Sequence, residues 1–304
     1  TAGNGSVTLS GANTFAGPLG LGSGTLTVGA LANAGSASVF GATSADPANL
    51  LLGPGTLRLA GPASSTDRGF TITPGSGKAA LIAVDTNATF SGTVSALSGA
   101  FIKRGKGALA LTGLGSNILS VAQAGNMSAF AEYPANGDSP ANGFGGFNVA
   151  EGKLTLGVPG QTNVVNGEAW VGLRTTGLAG KEVTGDFEIN GGYTRMNSYL
   201  VIGRDNGTTN TAPAPLQPTF TLTGGTLSLY NLIVTYGNDA NHNTRAVMTI
   251  QGGLLDVDNE FRLGDQRGNA TVPAYATVNV YGGTLRHAHA SQGLTFGWRD
   301  PGCS

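Results

Sequence analysis

In TFTLTGGTLSLYNLIVTYG, Thr219 to Gly237, two alternating apolar residues precede a double glycine, and a second alternating pair ends in a glycine. The frame is Phe220/Leu222, Gly224-Gly225, then Val234/Tyr236-Gly237, with Leu227 just after the glycines. It recurs around Gly191-Gly192, preceded by Phe187/Ile189 and followed by Leu200/Ile202-Gly203. It recurs again at Gly252-Gly253, with Met248/Ile250 and Phe261/Leu263-Gly264, and at Gly282-Gly283, with Val278/Val280 and Leu294/Phe296-Gly297. The period is about 30 residues, within the range of solenoid repeats.

The N-terminal half carries the same alternation less regularly. Val7–Gly11, Gly24–Gly29, Gly55–Leu59, Gly107–Leu111 and Gly152–Gly157 each place an apolar residue at every second position and are bounded by glycine. Such segments read as strands with one face to a core and one to solvent. Each repeat has only a few short strands and cannot bury its apolar face alone. Stacking equivalent strands in parallel pairs their backbones and sets leucine on leucine.

Parallel crossovers are overwhelmingly right-handed. The expected fold is therefore all-β: a right-handed parallel β-helix with inserted loops. It should have about ten to twelve coils and a length on the order of 50 Å. Residues 1–150 form the irregular coils and residues 151–304 the regular ones, as one continuous solenoid. The frame predicts Leu227, Leu255 and Leu285 in one interior row, with Phe220, Met248 and Val278 in another. The competing fold is an antiparallel β-sandwich or a pair of them, with the Gly-Gly pairs serving as hairpin turns.

Three stretches break the pattern: Ser36–Asn49, Glu132–Gly146 and Gly207–Pro218. The last two are strings of proline and Asn-Gly or Ser-Pro turn signals, expected as loops between rungs. Residues Ser120–Ala131 are the one candidate for a short helix.

Composition narrows the function classes. Charged residues are 11%, aromatics 7%, and glycines number 51 of 304. A net charge of −1 gives no basic footprint for nucleic acid. No apolar run approaches the roughly 18 residues of a membrane helix. The start, Thr1-Ala2-Gly3-Asn4, has neither a basic nor an apolar targeting region, and the chain reads as a mature or trimmed product. The single cysteine, Cys303, excludes an internal disulfide and is a candidate for an intermolecular one. Sparse Cys and Lys with abundant Gly, Asn, Ser and Thr suit an extracellular bacterial protein.

The stretch Leu9-Ser10-Gly11-Ala12-Asn13-Thr14-Phe15-Ala16-Gly17, followed by Gly24-Thr25-Leu26, resembles the autotransporter-associated β-strand repeat of bacterial passenger domains. The later Gly-Gly-Thr-Leu units followed by Leu-x-Ile-Gly resemble repeats of secreted bacterial surface proteins, including those with a PEP-CTERM sorting tail. The resemblances imply a right-handed β-helix at the cell surface or beyond. Neither a translocator barrel nor an apolar sorting tail is found, so the chain is expected to be processed or related only in architecture.

A β-helix also carries many polysaccharide lyases and hydrolases, which need two carboxylates on one cleft. Asp256 and Asp258 have strand spacing that puts them on one side; the plainer reading is an outward polar face. Asp67, Asp85 and Glu188 are isolated. His287 and His289 share a strand face, without a third metal ligand at suitable spacing, and His242 stands alone. No nucleophile elbow, P-loop or dinucleotide fingerprint occurs. Asp205, Asp239, Asp265 and Asp300 each follow a third strand and would form a column if the coils are in register. Such a column offers Ca²⁺ ligands; equally, these residues close turns, with Arg204, Arg267 and Arg299 neutralising them. Asn-x-Ser/Thr sequons at Asn4, Asn87, Asn126, Asn206 and Asn269 are as frequent as chance allows in so Asn- and Thr-rich a chain.

These features predict a secreted or surface-displayed structural protein, a rod for adhesion or for a filament or layer, with no catalytic residue and no cofactor beyond that candidate calcium. Its expected partner is itself, head to tail, through unpaired strand edges at either end, and surface glycans are a second candidate. The alternatives are a carbohydrate-active β-helix enzyme and a passive glycan-binding groove built on Tyr193, Tyr199, Tyr230 and Tyr236, of which Tyr236 also reads as a core residue.

Overall fold

A computed structural model describes residues 5–75, 78–121, 146–174, 184–205, 216–237, 244–266, 275–288 and 293–297. Their strands form a parallel β-solenoid. One coil shows the plan. Thr219–Leu222 lies on a first face, Thr226–Leu229 on a second, and Leu232–Gly237 on a third. The first face is an eight-stranded sheet. The second and third faces merge into a 15-stranded sheet, because the long strands Tyr193–Asp205 and Thr226–Gly237 bend around the corner between them. In the N-terminal half, Leu19–Leu21, Leu50–Leu52, Phe70–Ile72 and Val94–Ala96 form a separate four-stranded sheet. The sandwich alternative fails on strand direction: neighbouring strands pair in parallel throughout the described sheets, and the one antiparallel contact is the single bridge Asn13–Ser38.

Register turns the repeat into rows. Leu109, Leu154, Phe187, Phe220, Met248 and Val278 follow one another up the first face. Leu227, Leu255 and Leu285 do so on the second. Leu227 and Leu255 are fully buried, and Leu285 packs against the same core. The rings of Phe187 and Phe220 are 5.5 Å apart, and Phe147 meets Phe187 edge-on at 5.2 Å. The double glycines are a consequence of this stacking. The second of each pair is left-handed, with φ of 76° at Gly225 and 79° at Gly253. A Cβ on Gly225 would lie 2.4 Å from the backbone carbon of Gly191, one coil away. Only glycine meets both conditions.

The third strand of the repeat departs from the expected frame. Leu200/Ile202 stand opposite Leu232/Val234 and then Phe261/Leu263, so the interior pair is Leu232/Val234 and not Val234/Tyr236. The position equivalent to Gly203 and Gly264 is Thr235, not Gly237. The glycine ending was a false guide, because Thr235 itself takes the left-handed conformation, with φ 63°. Other expected elements fall only partly within the described residues. Ser120 ends the strand Gly115–Ser120, and the rest of the candidate helix, from 122 on, lies outside the described residues, as do most of the two proline-rich stretches. Within the irregular Ser36–Asn49 stretch, Pro47–Asn49 is a single 3₁₀ turn, capped by the Asp46 carboxylate accepting from Ala48 N at 2.9 Å.

The lumen also holds polar residues. Below Leu227 the second-face row continues through Thr194, Asn163 and Asn117, all buried. Asn117 accepts from Val94 N and donates to Gly113 O, each at 2.9 Å. Asn163 donates to Thr194 Oγ1 at 3.2 Å. On the third face one row runs from Val7 through Leu26, Leu57 and Ile82 to Lys103, then on through Val149, Val171, Ile202, Val234 and Leu263 to Phe296. Lys103 is its one polar member and has 0% exposure. Its ammonium donates to Gly105 O and Gly107 O, both at 2.5 Å, and to Glu151 O at 2.9 Å. All three donors are thus used. They join the turn of its own coil to the turn of the next, across residues 122–145.

Burial pulls the Lys103 ammonium down from 10.5 to about 8, against the attraction of Glu151. Between those values the unfolded chain holds a proton that the native state has lost. Native stability therefore rises with pH through that window and is flat with respect to this group below it. Urea denaturation of wild type and Lys103→Met at pH 7 and pH 10 measures both consequences. The variant should lose about 1–3 kcal/mol at pH 7, because it strands buried carbonyls. It should also lack the wild type's extra stability at pH 10; an equal rise in both proteins would remove Lys103 as its source.

Candidate functional site

Outward residues also stack in rows, so charges on neighbouring coils meet. That decides the acidic candidates. Asp256 is bound by the Arg286 guanidinium through Nε at 2.7 Å and through Nη2. This hydrogen bonding holds the Asp256 carboxyl below its ordinary value. Asp258 pairs with Arg195 Nη1 at 2.5 Å. Asp85 pairs with Arg58 at 2.8 Å, Glu188 with Lys153 at 2.7 Å, and Asp67 accepts from Ala34 N at 2.7 Å. A general acid needs a raised pKa; Asp256 is shifted the opposite way, and its spacing partner is neutralised by a different arginine.

The histidine and calcium candidates separate as well. His287 follows Val257 in an interior-facing row, and its Nε2 lies 2.7 Å from Asn259 O. It closes the last described coil of the lumen rather than lining a solvated face, because Leu285 and His287 share the inward side of their strand. His242 and His289 lie outside the described residues. Asp205 stands opposite Gly237, which stands opposite Gln266; Asp265 stands one place earlier, opposite Tyr236 and Arg204. The register therefore sets these two aspartates in different rows. Asp265 is fully buried and pairs with Arg262 at 2.9 Å. Asp239, Asp300 and Cys303, with Arg267 and Arg299, are outside the described residues. Among the described residues no group of three or more His, Cys, Asp or Glu could hold a metal.

The tyrosines divide by row. Tyr193 is exposed on the second face. Tyr236 is buried, but outside the lumen: it belongs to a second apolar cluster with Trp170, Val201 and Ile233 on the outer side of the third face. The Arg204 guanidinium lies 4.7 Å from the Tyr236 ring centre and 5.6 Å from that of Trp170, with Glu168 at 3.6 Å. Aromatic faces and a carboxylate together hold this nearly buried cation.

Tyr199 and Tyr230 come together at the corner between the second and third faces. Three residues round that corner in most of the regular coils: Asn166-Gly167-Glu168, Asn197-Ser198-Tyr199 and Asp258-Asn259-Glu260. Tyr230-Asn231 does it with two, and the register shifts there between Met196 and Tyr199. At this shorter corner lies a notch of about 460 Å³, lined by Asn166, Asn197, Ser198, Tyr199, Tyr230, Asn231 and Asn259. Asn231 Oδ1, at its floor, accepts from Asn259 Nδ2 at 2.8 Å and from Glu260 N at 3.0 Å. Asn197 Nδ2 donates to Asn166 Oδ1 at 2.8 Å. Tyr199 donates to Glu260 Oε2 at 3.2 Å, and burial together with that carboxylate pushes its hydroxyl up to about 12. The hydroxyl therefore stays protonated at any physiological pH. Sequence reading picked out the tyrosines and missed the asparagines; the signal was the corner length, visible only once the register is known.

A 112-residue part of the chain, 36% of its length, is 50% identical to the adhesin BmaC autotransporter of Brucella suis biovar 1 (strain 1330). The match covers 3% of that much longer protein. No family model matches the chain, and no solved structure matches it.

On the third face, Thr235 is fully buried, β-branched and left-handed, and its Oγ1 has no hydrogen-bond partner. A left-handed residue with a Cβ costs roughly 1–2 kcal/mol, and an unpaired buried hydroxyl adds to that. Thr235→Gly should therefore raise stability by about 1 kcal/mol, after allowing for the lost methyl and glycine's larger unfolded entropy. The urea midpoint measures this; an unchanged or lower midpoint would mean that neighbouring rows support the threonine without strain.

Proposed function

We propose that this chain is an adhesive segment of a bacterial cell-surface protein, a parallel β-solenoid that presents its outer corners to a partner and catalyses no reaction. The observation that carries the reading is the 50% identity over 112 residues to a protein named as an autotransporter adhesin, in a chain whose fold is a stack of coils. The pairing of Asp85, Glu188, Asp256 and Asp258 with basic side chains supports the non-enzymatic part. Beads coated with the 304-residue chain should bind cultured epithelial cells well above beads coated with an inert protein. The same protein should leave pectin, alginate and xylan uncleaved. Beads that bind no better than the control, or cleavage that is lost in Asp256→Asn, would overturn the reading.

The end coils support a second element, self-association. The row that begins at Val7 ends at Phe296, and these residues are 55% and 70% exposed. Val7, Leu9, Leu19, Leu21 and Leu26 line an apolar hollow of about 360 Å³ at the first described coil. Val280 and Leu294 are exposed at the last. We infer that the 304-residue chain associates head to tail through these edges, each taking a parallel coil from a second copy. Light scattering across a hundredfold concentration range should show mass growing with concentration. A constant monomer mass would refute the association.

A further inference from the structure

We propose that the notch at the Tyr230-Asn231 corner is a binding site for a neutral saccharide. The proposal names the ligand class for the adhesive reading above and rests on it. Three features of the notch select that class.

The first is unspent hydrogen-bonding capacity. Asn166 Nδ2, Asn231 Nδ2, Asn259 Oδ1 and Ser198 Oγ have no hydrogen-bond partner among the described residues, although the other amide atoms of these asparagines are engaged at Asn166 Oδ1, Asn231 Oδ1 and Asn259 Nδ2. The engaged atoms fix the amide planes. The remaining atoms supply both donors and acceptors over a short distance, which is what a ring of hydroxyl groups requires.

The second is an aromatic wall. Tyr230 is 45% exposed while its backbone is held within the strand Thr226–Gly237, so its ring is available to pack against the C–H face of a sugar. The third is that the charged groups at the rim, among the described residues, are matched. Arg195 is committed to Asp258 at 2.5 Å, and Glu260 to Arg262 at 2.7 Å and Tyr199 at 3.2 Å. A charged ligand would find no free counter-charge, and an apolar one would strand the amides. The recess of about 460 Å³ falls in the size range of small-ligand sites.

The site exists because of one missing corner residue. A corner of three, as at Asn197-Ser198-Tyr199, would push the chain outward and fill the recess.

The test uses the intact 304-residue chain on an array of immobilised neutral hexose and N-acetylhexosamine oligosaccharides, with sialylated and sulfated counterparts alongside. Wild type is expected to bind a subset of the neutral glycans. Tyr230→Ala and Asn197→Ala, both at exposed positions, should each weaken that binding at least tenfold without moving the urea midpoint. Tyr281→Ala, at an exposed tyrosine that does not line the notch, should leave it unchanged. An array blank for neutral glycans, binding confined to the charged ones, or neutral binding that survives both notch substitutions overturns the proposal. If beads still hold cells while the array is blank, the saccharide site fails and the adhesive reading stands. If the beads hold no cells yet the array shows notch-dependent binding, the site stands and the adhesive reading fails.

Discussion

In-register parallel stacking is the constraint on which everything else in this protein depends. Each residue lies over its equivalent one coil away, at the spacing of neighbouring strands. Inward positions must therefore form rows of compatible shape, and outward positions rows of compatible charge. The first-face row from Leu109 to Val278 is apolar throughout. Asn117 and Lys103, which enter the lumen, are satisfied by backbone groups of their own and adjacent coils. An isolated polar group there would lose its hydration without replacement.

The same constraint organises the surface. Asp256 meets Arg286, Lys153 meets Asp186 and Glu188, and Arg58 meets Asp85, each across one coil boundary. Exposed pairs of this kind contribute little individually. Their more visible effect is chemical: they leave Asp85, Asp186, Glu188 and Asp256 with cationic partners, and the one at Asp256 holds its carboxyl below its ordinary value, opposite to the shift a general acid needs.

How much of this was legible in the sequence follows from which features are local. The Gly-Gly frame is local, and the register stacks Phe220 and Leu227 on the residues at the same place in the neighbouring frames, because the left-handed second glycine and its close backbone contact allow no other residue. The third strand was misread for a related reason. Gly237 looked like the counterpart of Gly203, while the true counterpart is a threonine in a conformation that threonine seldom adopts. That error carried into the proposed aspartate column, whose spacing after a glycine did not survive alignment of Asp205 with Gly237. The asparagine ladder was hidden because Asn at an inward strand position looks like a turn residue. The notch was invisible because a corner of two residues among corners of three is a difference between coils and not a motif within one.

Corner length is also a variable that can change almost free of the core. The interior rows on either side of Tyr230-Asn231 run on undisturbed, from Met196 to Leu229 and from Leu200 to Leu232. Removing or adding a residue at such a bend reshapes the outside and leaves the packed lumen as it was. A lineage built from these coils can thus vary what its surface recognises by small insertions and deletions, at sites where folding imposes almost no selection against them.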